Sequence, residues 1–215
     1  MKKNILLAAA LTLATASTSA LAADIKPFIG LDYSKASVDS KSSISLTGGT
    51  VTYAGTTYTS GDSLSYTTET NSNTGTLKIG AVINTLHRVS LRHAGFSENG
   101  YDIDITTLNY DYMLPKISSA TPYVGVHAGT ADLDVGSLSS SSTPIGLQAG
   151  AIIPLQSGFE FDVSIAYTKL DLSESISIEN ASGSSSGVTL NNADATFKDE
   201  IEDALIINLG VNYNF

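Results

Sequence analysis

The sequence contains no cysteine, and this absence excludes two kinds of covalent attachment. No disulfide can staple the fold, and no lipid can be attached through a lipoprotein cysteine. Basic residues are also scarce, since 11 Lys and Arg stand against 21 Asp and Glu, for a formal net charge of −10. A nucleic-acid-binding protein needs a basic surface for the phosphate backbone, so we expect no nucleic-acid partner.

Long apolar runs are missing after residue 22. A transmembrane helix takes about 20 consecutive, mostly apolar residues, and no stretch of residues 23–215 supplies them. Any membrane span would therefore have to be built from strands. The mean hydropathy of only +0.10 fits a membrane barrel, because half of each strand in such a barrel faces a polar interior.

The N-terminus has the pattern of an export signal. A basic start at Lys2 and Lys3 precedes an apolar run from Ile5 to Ala16, and Ala20-Leu21-Ala22 is a small-x-small cleavage site. The apolar run is too short to span a bilayer as a helix. We therefore predict a cleaved signal peptide at residues 1–22 and a mature domain at residues 23–215, exported through the periplasm.

The C-terminal segment alternates strictly. From Leu205 onward every odd position is apolar or aromatic, and from Asn208 onward every even position is Asn or Gly. A period of two predicts a strand with one apolar and one polar face. The segment resembles the C-terminal signal of bacterial outer-membrane barrels. That resemblance implies an assembly signal, read by the barrel assembly machinery, at Leu209, Val211, Tyr213 and Phe215.

The same alternation recurs along the chain and predicts an all-β, antiparallel, up-and-down transmembrane barrel. Each segment has about the 9–11 residues that a tilted membrane strand needs, and an even number returns both chain ends to the periplasmic side. Eight such segments are found, at about 27–37, 75–84, 87–96, 101–113, 121–131, 143–153, 159–169 and the C-terminus.

The segment at 101–113 changes parity partway. Ile103 and Ile105 are at odd positions, whereas Tyr110 and Tyr112 are at even ones. A one-residue bulge would restore a common outward face. We therefore predict a bulge near Thr106-Thr107.

The connections between segments alternate in length, as they do in outer-membrane barrels. Short turns are predicted at Thr85-Leu86, 116–120 and 154–158, and we expect them to be periplasmic. Long extracellular loops are predicted at about 38–74, 132–142 and 170–202. Within the first loop, Gly48-Gly49 has the pattern of a hairpin turn. A further hairpin around 176–190 would make ten strands instead of eight.

Aromatic residues fall mostly at segment ends, which predicts a girdle at each membrane interface. A soluble lipocalin-like barrel, the alternative, would direct its apolar face inward without such clustering. The girdles would contain Phe28, Tyr110, Tyr112, Tyr123, Phe159, Phe161, Tyr213 and Phe215 at the periplasmic side, and Tyr33, Phe96, Tyr101 and Tyr167 at the other.

Residues 24–215 as a whole resemble the small eight-stranded outer-membrane barrels of the OmpA-like group, a porin-like β-barrel family of Gram-negative bacteria. No motif identifies a subfamily. The resemblance implies an integral outer-membrane protein, monomeric, surrounded by lipid and lipopolysaccharide and escorted by periplasmic chaperones before assembly.

Charged residues are expected on the inward face of the predicted strands. An eight-stranded barrel is just wide enough for side chains to fill, and buried charges must pair to be tolerated. We therefore predict a lumen plugged by salt bridges, as is familiar in the OmpA-like group; a narrow channel for ions or small solutes is the alternative. The predicted lumenal charge network contains Asp32, Lys78, Arg88, Arg92, Asp111, Glu160 and Asp162.

Catalytic motifs are absent from the sequence. It has no Gly-x-Ser-x-Gly, no phosphate-binding loop and no His-rich metal motif. Barrel lipid A deacylases typically carry His-x-Ser, but none of His87, His93 and His127 is followed by Ser at the second position. We expect no catalytic residue, no cofactor and no metal, and interpret His93 as structural.

The predicted loops are the part of the chain that could give this barrel a specific binding function. Tyr, Ser, Thr, Gly and Asn in the first loop suit adaptable recognition as well as simple solubility. The acidic run at 170–203 fits a solvated face, or a weaker alternative in which divalent cations bridge to lipopolysaccharide. The sequence thus predicts a non-enzymatic barrel that contributes to envelope integrity or surface interaction, with a surface adhesin for an unknown extracellular ligand as a further alternative.

Overall fold

The chain is described by a computed structural model at residues 24–98, 101–135, 138–185 and 187–215. The predicted signal peptide at 1–22 lies outside these residues. No helix in the described part is long and apolar enough to span a membrane. The strands are β1 (Ile25–Tyr53), β2 (Thr56–Thr59), β3 (Ser63–Ile83), β4 (His87–Glu98), β5 (Tyr101–Met113), β6 (Thr121–Val135), β7 (Leu138–Ser142), β8 (Ile145–Pro154), β9 (Phe159–Ser185) and β10 (Val188–Asn214).

Eight of these strands form a closed antiparallel ring. Its order is β1, β3, β4, β5, β6, β8, β9, β10, and β10 pairs with β1 to close it. Closure leaves no open edge around the ring, which is what a strand-built membrane span requires. β2 and β7 pair only with β1 and β6, outside the ring. The predicted fold class, an up-and-down barrel of eight strands, is confirmed.

The first and last described residues, Asp24 and Phe215, lie at the end of the barrel where the turns are short. The β3–β4 turn is tight, with Asn84 and Thr85 in the left-handed region at φ of 51° and 59°. The amide of Phe215 donates to the carbonyl oxygen of Pro27 at 3.0 Å, and the amide of Asn84 donates to that of Asp24 at 2.8 Å. These bonds hold the first and last described residues against the wall.

At the opposite end, four strands continue well past the others. β1, β9 and β10 have 29, 27 and 27 residues and β3 has 21, whereas β8 has 10. A membrane strand needs only about 9–11. The surplus forms a paired sheet, here called the extension, made of residues 40–53, 63–72, 172–185 and 188–202 together with β2. The segments expected as loops at 38–74 and 170–202 are therefore largely strand.

Two details of these segments differ from expectation. Gly48-Gly49 is not the hairpin turn: β1 runs through it with register shifts, and the turn is at Ala54-Gly55, where both φ angles are positive at 49° and 82°. Consecutive positive φ angles match the twist of a tight hairpin. The additional hairpin around 176–190 forms, but as a continuation of β9 and β10, so the ring stays at eight strands.

The outer face of the ring carries an apolar belt. Leu31 is 68% exposed and Leu147 64% exposed, although both are large and apolar. Such a continuous exposed surface is the lipid-facing band of a membrane barrel, and the inverse of a lipocalin-like arrangement. The belt contains Leu31, Leu77, Leu108, Val124, Val126, Ile145, Leu147, Ile165, Leu205, Ile207, Leu209 and Val211.

The predicted bulge in β5 is wrong. β5 pairs with β4 and β6 in unbroken register through Thr106 and Thr107. The regular strand keeps its odd positions inward from Ile103 to Met113, so Ile103 and Ile105 face the lumen and pack in a buried apolar cluster. The change of parity in the sequence marks a change in the lumen from polar to apolar, rather than a break in the strand.

Among the predicted girdle aromatics whose side chains the structure describes, three face inward. Phe28, Phe96 and Tyr123 are almost fully buried, because each stands at an inward position of a strand whose register is regular. The outward aromatics include Tyr33, Tyr110, Tyr112, Phe159, Tyr167, Tyr213 and Phe215.

Candidate functional site: the lumenal charge network

The middle of the lumen is filled by buried polar and charged side chains. Six of the seven predicted charges come together here and are called the charge network. Each stands at an inward position of its strand, which is why alternation alone brings it to the lumen. The charge network consists of Asp32 from β1, Lys78 from β3, Arg88 and Arg92 from β4, Asp111 from β5 and Asp162 from β9.

Asp162 is the centre of the charge network. Its Oδ2 accepts from Lys78 Nζ at 2.8 Å and from Arg88 Nη1 at 2.9 Å. Its Oδ1 accepts from the hydroxyl of Tyr123 at 2.8 Å, and Asn212 Nδ2 adds a longer bond to Oδ2 at 3.4 Å. A buried carboxylate that accepts several charged and neutral hydrogen bonds is the arrangement in which a buried charge is tolerated.

The remaining ion pairs link the charge network to the walls. Lys78 Nζ also donates to Asp32 Oδ1 at 3.0 Å, and Arg88 Nε donates to Asp111 Oδ2 at 2.8 Å. Arg92 is held least firmly, since its Nη2 lies 3.4 Å from Asp32 Oδ2 and forms an ion pair that does not meet hydrogen-bond geometry. Three cations thus face three carboxylates.

Glu160 stands apart from these six residues. It is only half-buried, lies opposite Asn212 and Pro154 near the short-turn end, and makes no ion pair with any described residue. The inward parity of Glu160 follows from the sequence, but its depth along the lumen does not.

Sequence reasoning missed the neutral partners of the charge network. The ring of Tyr123 lies under Arg88 Cζ at 4.2 Å from the ring centroid, while its hydroxyl binds Asp162. Gln148 Nε2 donates to Asp111 Oδ1. Tyr123 and Gln148 occupy inward positions on β6 and β8, so parity identifies them as lumenal, but a pattern holds no information on their partners.

Inward glycines make room for the charged side chains. A Cβ at Gly210 would overlap Asp32 Oδ1, and one at Gly125 would overlap Asp111 Oδ1. Each carboxylate therefore lies close to the backbone of a neighbouring strand, at a glycine whose missing side chain leaves space for it.

The histidines are each engaged by a hydroxyl group. His93 Nδ1 lies 2.9 Å from Thr106 Oγ1, His127 Nε2 lies 3.0 Å from Thr168 Oγ1, and His87 Nδ1 lies 2.7 Å from the hydroxyl of Tyr110. Among the described residues, no group of three or more His, Asp or Glu side chains could hold a metal ion. His93 of β4 thus contacts Thr106 of the adjacent strand β5.

Of the four residues of the predicted assembly signal, Leu209, Val211 and Tyr213 lie on the outer face of β10, and Phe215 follows directly after its last residue, Asn214. Tyr213 packs against Phe159 and Phe215, with ring centroids 5.0 Å and 5.3 Å apart. β10 is also the strand that closes the ring, since Tyr213 pairs with Ile29 of β1. The residues predicted as the signal thus belong to, or directly follow, the strand that closes the ring.

Comparison with known proteins gives structural neighbours only. No protein-family model matches the chain, and no curated protein matches it. Neisserial surface protein A (NspA) is similar in structure, with a TM-score of 0.53 and 12% identity over 88% of this chain and 97% of that one. The outer membrane protein OprG from Pseudomonas aeruginosa is similar with a TM-score of 0.53 and 19% identity, over 88% and 96% of the two chains.

These likenesses concern the fold, and the surface of the barrel agrees with them. The neighbours are small outer-membrane β-barrels, and the apolar belt of this chain lies where the wall of such a barrel meets lipid. The chain therefore has the fold of the small eight-stranded outer-membrane β-barrels of OmpA-like type, in agreement with the predicted place in the bacterial outer membrane.

Proposed function

We propose that this chain is a non-enzymatic, monomeric barrel of the bacterial outer membrane with a closed lumen, which contributes to envelope integrity or surface interaction. The observation that carries the proposal is the ion pair between Arg88 and Asp162, whose charged atoms lie 2.9 Å apart across the lumen. Together with Lys78 it joins β3, β4 and β9 inside the ring. Lipid and lipopolysaccharide are the surroundings, and chaperones and the barrel assembly machinery act only during biogenesis.

Pairing among the most deeply buried lumenal charges favours a plug over a filter. A filter must leave charges accessible to a passing ion, whereas Lys78, Arg88 and Asp162 are at most 2% exposed and are bonded to one another. Breaking such a pair would leave an uncompensated buried charge, which is strongly unfavourable.

Conductance in planar bilayers tests the closed lumen. The refolded barrel should be silent, and Arg88→Ala should introduce intermittent conductance because it removes the side chain that bridges the lumen. Arg92→Ala is the matched control, since Arg92 makes only one long ion pair, and it should change the current less. A steady wild-type conductance whose selectivity shifts in both variants would instead establish the alternative, a narrow channel for ions or small solutes.

A surface adhesin is the second candidate, favoured by the extension. The long strands carry exposed Tyr53 and Tyr66 among Ser and Thr side chains, a composition suited to adaptable contacts. We expect the extension to be extracellular, because the short turns are at the opposite end.

Shortening the extension tests this candidate. Removing residues 40–68 joins Asp39 to Glu69, which already face each other in register, so that the ring should stay folded. Removing residues 176–197, between the paired Ser175 and Lys198, is the matched control in the neighbouring hairpin. Loss of cell-surface or host-cell binding in the first variant alone would support an adhesin in which β1 and β3 make the contact, and unchanged binding in both would reject it.

A further inference from the structure

Above the charge network the lumen changes from polar to apolar and opens into a cavity, here called the upper chamber, of about 340 Å³. Its wall includes Phe96, Ile105, Leu133, Leu170, Leu172 and Ile206, most of them in one buried apolar cluster inside the ring. A volume of this size lies in the range of small-molecule binding sites.

An apolar wall is unusual for the lumen of a membrane barrel. Inward positions of membrane barrels are typically polar, and the tier directly below has Ser34, Thr76 and Thr168 at such positions. Apolar walls around a cavity gain free energy when an apolar body replaces water against them. The walls of the upper chamber thus favour an apolar occupant.

The floor of the upper chamber contains buried polar atoms without partners. Arg92 is 8% exposed and His127 7% exposed, and Arg92 Nε, His127 Nδ1 and Gln148 Oε1 have no hydrogen-bond partner among the described residues. All three side chains line a small polar cavity of about 50 Å³. Phe96 and Ile105 line this cavity as well as the upper chamber, so the two spaces adjoin.

These unpartnered atoms indicate which polar group a bound molecule should carry. Arg92 Nε is a donor, whereas Gln148 Oε1 is an acceptor, since the amide nitrogen of Gln148 is already used on Asp111. A hydroxyl group can accept from the first and donate to the second. Unpaired buried groups of this kind are unfavourable until such a partner arrives.

The charges around the upper chamber argue against an anionic occupant. Arg92 already faces Asp32, and the three cations of the charge network are matched by three carboxylates. Higher up, the wall carries Glu174 and Asp199, which would repel an anion at the entrance. An uncharged molecule meets neither obstacle.

We propose that the upper chamber binds a small uncharged molecule with an aliphatic body and one hydroxyl group, the body against Leu133, Leu170 and Leu172 and the hydroxyl on Arg92. This binding activity goes beyond the closed barrel, because a ligand held above the charge network need not cross it. Conductance and binding are therefore tested separately.

Titration of the refolded full barrel in phospholipid nanodiscs with 1-octanol tests the proposal. Methyl signals of Leu133, Leu170 and Leu172 should shift saturably in NMR spectra, whereas those of Leu31 and Leu147, on the lipid-facing belt, report partitioning into the bilayer and should shift without saturation. Octane and octanoate are the matched probes. Octanol should bind roughly tenfold more tightly than either, as expected for one well-placed hydrogen bond.

Arg92→Met distinguishes the contribution of the hydrogen bond at the floor from that of the apolar walls. It should bring octanol down to the affinity of octane, while octane itself binds as before. Ala204→Leu, which narrows the upper chamber, should weaken all three probes, and if that variant does not fold, the change in selectivity in Arg92→Met decides alone. Lumenal and belt methyls that shift alike would overturn the proposal, as would a preference for octanoate or an unchanged octanol preference in Arg92→Met.

Discussion

Arg88 Nη1 lies 2.9 Å from Asp162 Oδ2, although β4 and β9, which carry them, are on opposite walls of the barrel, four strands apart in either direction around the ring. One ion pair therefore spans the whole lumen. The same arginine reaches Asp111 on the adjacent β5, so a single guanidinium links both walls. A contact of this reach is what the proposed closed lumen requires, because the interior of an eight-stranded ring is narrow enough for side chains to fill.

Replacing Asp162 with asparagine should destabilise the barrel strongly, because Lys78 and Arg88 both lose their shared carboxylate. We expect the free energy of unfolding to fall by about 3–5 kcal/mol, as when one partner of a buried pair is removed. Urea unfolding of the refolded protein in micelles, followed by far-UV circular dichroism, measures this. Glu160→Gln, two residues away on the same face, should change the free energy of unfolding by no more than about 0.5 kcal/mol. Equal losses in the two variants would show that the ion pairs of Asp162 do not stabilise the barrel.

Tyr123→Phe isolates one hydrogen bond of the charge network. The variant keeps the ring under Arg88 but removes the hydroxyl that donates to Asp162. A loss of about 1.5–3 kcal/mol is expected for a bond to a charged acceptor. In the Asp162→Asn background the same change should have a smaller effect, because the two residues are coupled. Strictly additive losses would contradict the contact.

Gly210→Ala tests the close approach of Asp32 to β10. The added methyl group would overlap the carboxylate, and overpacking of this kind costs about 1–3 kcal/mol. Gly75→Ala is the matched control, since no atom lies within 4 Å of the Cβ position at Gly75. Unfolding midpoints of the two variants in urea should differ clearly, with Gly75→Ala close to wild type.

Ile165→Arg tests the apolar belt. Ile165 faces outward on β9, and a charge on the lipid face near the bilayer midplane costs about 2–4 kcal/mol. Ser173→Arg lies on the same face of the same strand but in the extension, where we expect water, and it should change stability by about 0.5 kcal/mol or less. Refolding into phosphatidylcholine vesicles measures both variants. A similar penalty at Ser173 would place the membrane higher than we infer.

Phe215→Ser tests the C-terminal assembly signal. If cellular machinery reads this aromatic side chain, the variant should accumulate unassembled in cells yet refold in micelles almost as well as wild type. Leu205→Ser is the control: Leu205 is outward on β10 and 44% exposed, and the variant should assemble normally. The folded fraction in isolated outer membranes, measured by the difference in electrophoretic mobility before and after heating, distinguishes them. A refolding defect equal to the cellular one would mean that Phe215 acts through packing alone.

Alternation along the sequence was sufficient to predict an antiparallel barrel of eight strands, with ten as the alternative, and the inward positions of the charged residues. It placed Asp32, Lys78, Arg88 and Asp162 in the lumen because successive side chains of a strand point to opposite faces. Apolar side chains fit the lipid-facing side, so the charged ones must point inward. The C-terminal strand and its outward residues followed from the same rule.

Only the tertiary structure decided depth and partnership. Glu160 is at an inward position, like the charge network, but lies too near the end of the barrel to join it. Ile103 and Ile105 were expected to face outward beyond a bulge, but the strand is regular and they line an apolar part of the lumen. Alternation specifies which way a side chain points; the strand stagger and closure of the ring determine which side chains share a level. The pairing of Arg88 with Asp162 and the upper chamber above it depend on that level, so no pattern along one strand could predict them.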